Sequence, residues 1–346
     1  MKKQAVPTIQ DVAREAGVSA STVSNVLNRR WKQTSKETRE RILEIAARLN
    51  YQPNAMAAAL RRRSSRTIGV VVTDILNPFY TAIVRAIQDE ARRAGYQVIL
   101  ANSDDDPAQE KEALNTVKSK QVDGMIIVTT GGNHEAIKQA RDSGLPIVLV
   151  DRDDPNLGLD TVHVDNMLAA ENATRYLLDL GHRKVAIVGG PISGVPTRAG
   201  RYNGYVKALR DAGIETRPEY QAIVRGSIDN GRRVTADLLR LADPPTAILA
   251  TNAFLAIGAM QAIHDRGLSI PRDISFAMFD DPIWATLCKP PITTVSQPTE
   301  EIGARAFQLI EGRLKKRRSA DPQAVIMPTS LIIRGSCAPP QERRSG

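Results

Sequence analysis

The chain has 346 residues, 42% of them hydrophobic, with two cysteines and a formal net charge of +9. This composition excludes a disordered or disulfide-stapled polypeptide and leaves room for two or three domains. No stretch approaches the roughly 20 uninterrupted apolar residues of a membrane helix, and MKKQAVPTIQ lacks the apolar segment of a secretory signal, so a cytoplasmic protein without membrane contact is expected.

The excess charge is segregated. Residues 1–66 carry 14 Lys+Arg against 5 Asp+Glu, and residues 67–346 carry 33 of each sign. A basic but apolar-periodic end points to a polyanion held at that end alone. There, TIQDVAREAGVSASTVSNVLN predicts a first helix capped by Thr8, with Ile9, Val12, Ala13 and Ala16 on one face. Gly17 supplies a left-handed turn, and Ser19 caps a second helix whose apolar face is Val23, Val26 and Leu27. This is helix-turn-helix spacing. The outward residues of the second helix are Ala20, Ser21, Ser24 and Asn25, with Thr22 close by. A recognition helix reads bases from its first turns, so Ala20, Ser21 and Asn25 are candidate readers. Thr22 and Ser24 suit phosphates.

A third helix from Ser35 is predicted to bury Ile42, Ile45, Ala46 and Leu49 and to expose Lys36, Arg39 and Arg41. Pro53 ends that element. Asn54 to Leu60 then form a small-residue helix, too short to be stable alone, followed by Arg61, Arg62 and Arg63. Such a helix forms when something packs on it, and a leucine beside arginines suits a minor-groove wedge.

After the linker the texture becomes alternating strands and helices. Strands are predicted at 68–72, 97–101, 124–128, 147–150, 161–164, 185–188, 247–250, 275–279 and 293–295. Helices are predicted at 79–94, 107–119, 134–144, 166–180, 199–212, 230–240 and 253–266. That alternation implies parallel sheets with right-handed crossovers. Ligands of such sheets meet the carboxyl ends of strands. Those ends carry Asp74, Asn77, Thr130, Asp151, Arg152, Asn252, Asp280, Asp281 and Gln297, with Arg201 opening a helix and Phe79, Phe254 and Trp284 nearby. Carboxylates and amides pair with vicinal hydroxyls, Arg bridges oxygens, and an aromatic face covers a sugar's C–H surface. A sugar or sugar-acid pocket is expected.

No phosphate-binding loop, nucleophile elbow or zinc-protease motif occurs, and Asp280 and Asp281 point opposite ways on a strand, so no enzyme is expected. His134, His163, His182 and His264 are scattered, and with Cys288 and Cys337 they offer no metal spacing; no cofactor is expected.

TIQDVAREAGVS–STVSNVLN, then LNYQPNAMAAALR, then IGVVVTDILNPFY, resembles the LacI family of bacterial transcription regulators along essentially the whole chain to Arg334. The resemblance implies an α/β protein: an all-α helix-turn-helix headpiece (1–52), a hinge helix and linker (53–66), a periplasmic-binding-protein-like core of two parallel-sheet lobes (67–335) and a tail (336–346). The first lobe would span about 67–164 and 298–329, and the second about 165–297 and 330–340. It implies a homodimer on a pseudo-palindromic double-stranded operator, Ala57 packing hinge on hinge and Leu60 inserting between base pairs. Thr8, Ser19, Arg39, Asn54 and Arg61 complete the expected DNA contacts. Asp151, Arg201, Asn252, Asp280 and Gln297 carry over as polar effector contacts, with Phe79 and Thr130 as weaker ones. Arg152 resembles the Asp-Arg pair of ribose-type binding proteins, and Trp284 a subset associated with sugar acids.

Two departures stand out. Asn25 occupies a reader position that is Arg or His in many members, and Ala253 replaces the Asp usually following Asn252. The expected function is an effector-controlled repressor, with induction and corepression both open. No leucine-heptad tail follows Arg334, which favours a dimer. The rival readings are a solute-binding protein without transcriptional role and an architectural DNA-bending protein.

Overall fold

The computed structural model describes residues 7–28, 30–31, 34–51, 64–315 and 321–341. The chain divides into two compact units, Met1–Ser65 and Arg66–Gly346. Asn54, Ala57, Leu60 and Arg61, the expected hinge residues, lie outside the described residues.

Among the described residues the first unit holds three helices, α1 (Ile9–Ala16), α2 (Ala20–Leu27) and α3 (Lys36–Arg48). Thr8 and Asp11 form a reciprocal capping box on α1, and Gly17 ends it at φ 64°. Ser19 and Ser35 cap α2 and α3 through the amides of Thr22 and Thr38. Each cap satisfies a donor that the helix itself leaves open. Val12, Ala16, Val23, Val26, Ile42 and Ile45 meet in one small core, with Ile9, Leu49 and Tyr51 against it.

The second unit contains two six-stranded sheets. Its elements in order are β1 (Thr67–Val72), α4 (Pro78–Arg93), β2 (Gln97–Asn102), α5 (Pro107–Ser119), β3 (Gly124–Ile127), α6 (His134–Asp142), β4 (Ile147–Val150) and β5 (Asp160–Val164). Then come α7 (Asn166–Asp179), β6 (Val185–Gly189), α8 (Pro196–Asp211), β7 (Gln221–Ile223), α9 (Ile228–Leu238), β8 (Ala247–Ala250), α10 (Ala253–Asp265), β9 (Ser275–Phe279) and β10 (Thr293–Ser296). The chain closes with α11 (Thr299–Leu314), β11 (Ala324–Met327) and β12 (Ser330–Ile332).

The first sheet runs β11-β5-β4-β3-β1-β2 and the second β12-β10-β9-β8-β6-β7. All pairings are parallel except β10 with β12. Each sheet carries helices on both faces, so central strands such as β4 and β8 are buried throughout and read as unbroken apolar runs. The two lobes repeat one winding, and the chain passes between them after β5, after β10 and between β11 and β12. Such a layout turns the carboxyl ends of both sheets toward a common cleft.

Several elements differ from the sequence expectation, among them strand β11, which was not expected. Helix α11 was not expected. It buries Ile302, Ala306, Phe307, Leu309 and Ile310 against α4 and the first sheet. Strand β7 has three half-buried residues, too few to show a period. Helix α8 begins at Pro196 rather than Ala199, because proline's fixed φ suits a first helical turn.

Candidate functional site

Two surfaces gather the candidate residues. On the headpiece, Ser21 is exposed at the start of α2, while Ser24 and Asn25 are half-buried. The Ser19 hydroxyl lies 2.7 Å from the Ser21 hydroxyl and 2.9 Å from that of Thr22. Thr8 is engaged likewise, its hydroxyl donating to Asp11 at 2.7 Å. Both cap residues therefore shape the helix ends first. The amide of Asn28 donates to the carbonyl of Ser24 at 2.7 Å. Among the described residues the Asn25 side chain has no such engagement, which leaves its amide for an outside partner.

Two headpiece expectations need correction. Ala20 packs partly against the headpiece core, so its methyl group is not simply outward. Arg39 is not freely exposed. Its guanidinium lies 4.5 Å from the ring centre of Trp31, and its Nε is buried without a partner. Trp31, 44% exposed, was not singled out in the sequence, where a lone tryptophan in a loop carries no period.

In the core, a cavity of about 190 Å³ lies between the lobes and is lined by strand-end residues of both. Asp151 and Asp280 follow β4 and β9, corresponding strands of the two sheets, and both adopt left-handed φ, 65° and 70°. Asp151 accepts from the Tyr80 hydroxyl at 3.0 Å. Burial and then the Asp151 charge push the Tyr80 phenol well above its ordinary pKa, so it remains a donor. Arg152 is 5% exposed and donates to Asp105 at 2.7 Å and the Thr129 carbonyl at 3.0 Å, while its buried Nε makes no hydrogen bond and lies 4.0 Å from Asp151. Burial opposes its charge, but the carboxylates of Asp105 and Asp151 outweigh that and keep it protonated.

Arg201, on α8, donates to Asn166 at 2.7 Å and the Thr251 carbonyl at 2.6 Å, and stacks 4.2 Å over Phe279. Its orientation is therefore set from three elements. Asp280 accepts from Gln297 at 2.7 Å. Burial is the main reason that its pKa is raised; the charge of Asp151 adds to this, and Arg201 and Gln297 work against it. Gln297 keeps a buried Oε1 without a partner and lines a neighbouring pocket of about 290 Å³ that shares Asn77, Phe79 and Asp280 with the first. Asn252 caps α10 through the Leu255 amide at 2.9 Å and also lines the cavity, as do Phe79 and Phe254.

Two expected contacts, Thr130 and Trp284, lie elsewhere. Thr130 is turned to Glu110, accepted at 2.6 Å, and does not line the cavity. Trp284 packs against the apolar core of the second lobe, because the short helix 283–286 turns the indole inward. Asp281 is held by Arg334 at 2.7 Å and Thr294 at 2.9 Å, partners that Asp280, bonded to Gln297, does not share. Tyr80, Asp105, Asn166, Arg198 and Arg225 were missed. The rule that found Asp151 would have found Asp105 too, since the run 104–106 ends β2. The others sit on helices or loops that carry no positional signal.

Among the described residues no group of His, Cys, Asp and Glu could hold a metal. No helix there is long and apolar enough to cross a membrane.

Comparison with known proteins finds relatives for both parts of the chain. Residues 8–54 match the model of the bacterial regulatory proteins of the lacI family. Residues 65–334 match the model of periplasmic binding proteins and the sugar-binding domain of the LacI family. The transcriptional regulator DegA of Bacillus subtilis is 34% identical over 335 residues, 96% of this chain and 98% of its own length. A structure of the lac repressor dimer bound to operator and the anti-inducer ONPF is similar with a TM-score of 0.83 and 27% identity, over 96% of this chain and 99% of that one. The regulator CelR in complex with cellobiose is similar at 0.71 and 27%, over 95% and 99%. The chain belongs to the LacI family of bacterial transcriptional regulators, DNA-binding proteins rather than enzymes.

Proposed function

We propose that this regulator works as a cytoplasmic homodimer whose operator affinity is set by a sugar or sugar acid bound between the lobes of its core. The observation that carries the ligand class is the pairing of Asp151 and Asp280 across one cavity, with Arg152 and Arg201 beside them. Two carboxylates from opposite lobes accept from hydroxyls on opposite edges of a small polyol. Arg152 and Arg201 place positive charge beside its oxygens. Phe79 and Phe254 supply apolar faces for its C–H surface. CelR, bound to cellobiose, supports the same class of ligand.

On the headpiece, Ser21 and Asn25 read bases, while Thr22 and Ser24 meet phosphates, and Thr8, Ser19 and Arg39 hold the helix ends and the loop in place. Residues 53–66 act as hinge and linker, with Asn54, Ala57, Leu60 and Arg61 at the minor groove. Exposed Leu76 (77%), Ile283 (82%) and Leu287 (74%) offer apolar surface for a second copy.

A thermal-shift screen of neutral sugars, sugar acids and purines on the full-length protein tests this reading. Binding to the native state alone raises the unfolding midpoint. A shift by a sugar or sugar acid that is lost in Asp151→Ala supports it. A shift by purines alone, or one that Asp151→Ala retains, contradicts it.

A further inference from the structure

The mouth of the cavity is bridged by Asp105, Arg198 and Arg225, which the ligand-binding reading does not use, together with Arg152. Asp104 and Asp105 follow β2 on the first lobe, both at left-handed φ, 50° and 53°. The Asp105 amide donates to the Thr73 carbonyl at 2.9 Å, and the Asp106 amide to that of Ser103 at 2.9 Å. These bonds hold the turn so that the Asp105 carboxylate lies between two guanidiniums. Arg152, of the same lobe, donates to one oxygen at 2.7 Å. Arg198, in the first turn of α8 on the opposite lobe, donates to the other. Arg225, also of the second lobe, reaches the Asp104 carbonyl at 3.2 Å. At a second point of lobe contact, a Cβ added to Gly131 would stand 2.5 Å from the Gly194 carbonyl oxygen, so the backbones of the two lobes are in direct contact there.

We propose that Asp105 and Arg198 are positioning residues that clasp the two lobes over the effector cavity and set the open–closed equilibrium before any effector binds. The clasp concerns the cavity proposed above as the effector site, yet it is tested without effector, so either can fail alone.

The physical case rests on preorganisation. An exposed ion pair spends much of its Coulomb energy ordering two long side chains and is worth little. Here one side is already ordered. Arg152 is almost fully buried and fixed by the Thr129 carbonyl, and it orients Asp105 from within its own lobe. Burial works against the Asp105 charge, but Arg152 and Arg198 outweigh it and hold the carboxyl below its usual range. Only Arg198 remains to be placed when the lobes meet. A charge-assisted bond made in one state and absent from the other biases the equilibrium by its whole differential strength. Every group in the clasp belongs to the chain, so closure does not depend on a ligand bridging the gap. The effector then enters when the clasp opens and is retained when it shuts.

Hydrogen–deuterium exchange of the full-length protein without effector tests the clasp. Asp105→Asn, which keeps the size of the side chain, is expected to speed exchange at the opposite lip, residues 190–199, by about tenfold or more. Arg198→Met is expected to do the same at residues 102–106, and the double variant to be no faster than either single one. Arg198→Lys, which keeps the charge, should restore much of the protection. The clasp is overturned if each variant disturbs only its own lip or if the two effects add. Faster exchange throughout the core, α7 and β8 included, would equally overturn it by making the pair a support of the fold.

Discussion

Asp151 and Asp280 hold a backbone conformation that costs a residue with a Cβ on the order of 1 kcal/mol or more. Aspartate is one of the few residues that tolerate this conformation, and the two hold corresponding strand ends. Asp280 carries a second cost. Its folded pKa lies above the unfolded value, because burial disfavours its charge and Asp151 adds repulsion. The folded chain therefore binds more protons between those two values, and stability falls as pH rises from the ordinary carboxylate range toward the folded pKa. Asp280→Asn is expected to raise stability at neutral pH, by on the order of 1 kcal/mol. Its advantage over the parent should shrink as pH falls from the folded pKa to the ordinary carboxylate range and stay constant below it. Thermal unfolding across pH checks this; a variant that is less stable at neutral pH would contradict the assignment. On the headpiece, Asn25→Ala should relax preference at one base pair per half-site, costing about 1–3 kcal/mol. A loss shared equally by random DNA would make Asn25 a phosphate contact instead.

The headpiece helices were legible because caps and apolar spacing agree locally: Thr8, Ser19 and Ser35 each start a helix where the pattern places one. Buried parallel strands were legible as apolar runs. Helix α11 was not, for a physical reason. It follows a strand end at Gln297, and its buried residues cover both α4 and the sheet, so its apolar stripe is broad and weakly periodic. Its role is nevertheless central to the first lobe, where Ile310 is completely buried. Ile310→Ala should cost about 2–5 kcal/mol through lost burial and the cavity left behind. Denaturant unfolding followed by circular dichroism measures it, and a cost under about 1 kcal/mol would mean that α11 is dispensable to that core. Within the cavity, strand ends announced Asp151, Arg152 and Asp280. Trp284 misled because proximity in sequence to a strand end does not fix the direction of a short helix. Thr130 misled because Glu110, twenty residues earlier, claims its hydroxyl.

At the scale of the molecule, charge and fold divide the labour. All net positive charge lies in residues 1–66, where DNA is met, and the core is formally neutral. A ligand in the core affects DNA only through a difference in affinity between the DNA-competent and incompetent states, and the same factor acts in both directions. Arg201 is well placed to transmit that difference, since it joins the cavity to Asn166 at the start of α7, where the chain has just crossed between lobes. The measurement that bears most directly on this account is operator affinity, by fluorescence anisotropy at fixed salt, with and without the ligand found by thermal shift. For the parent protein the ligand should change that affinity by about 5–150-fold, in either direction. For Arg201→Met, which keeps the length of the side chain but not its donors, the change should disappear while binding of random DNA stays as it was. A ligand that binds the parent without changing operator affinity, or changes it equally in Arg201→Met, would contradict control through this cavity.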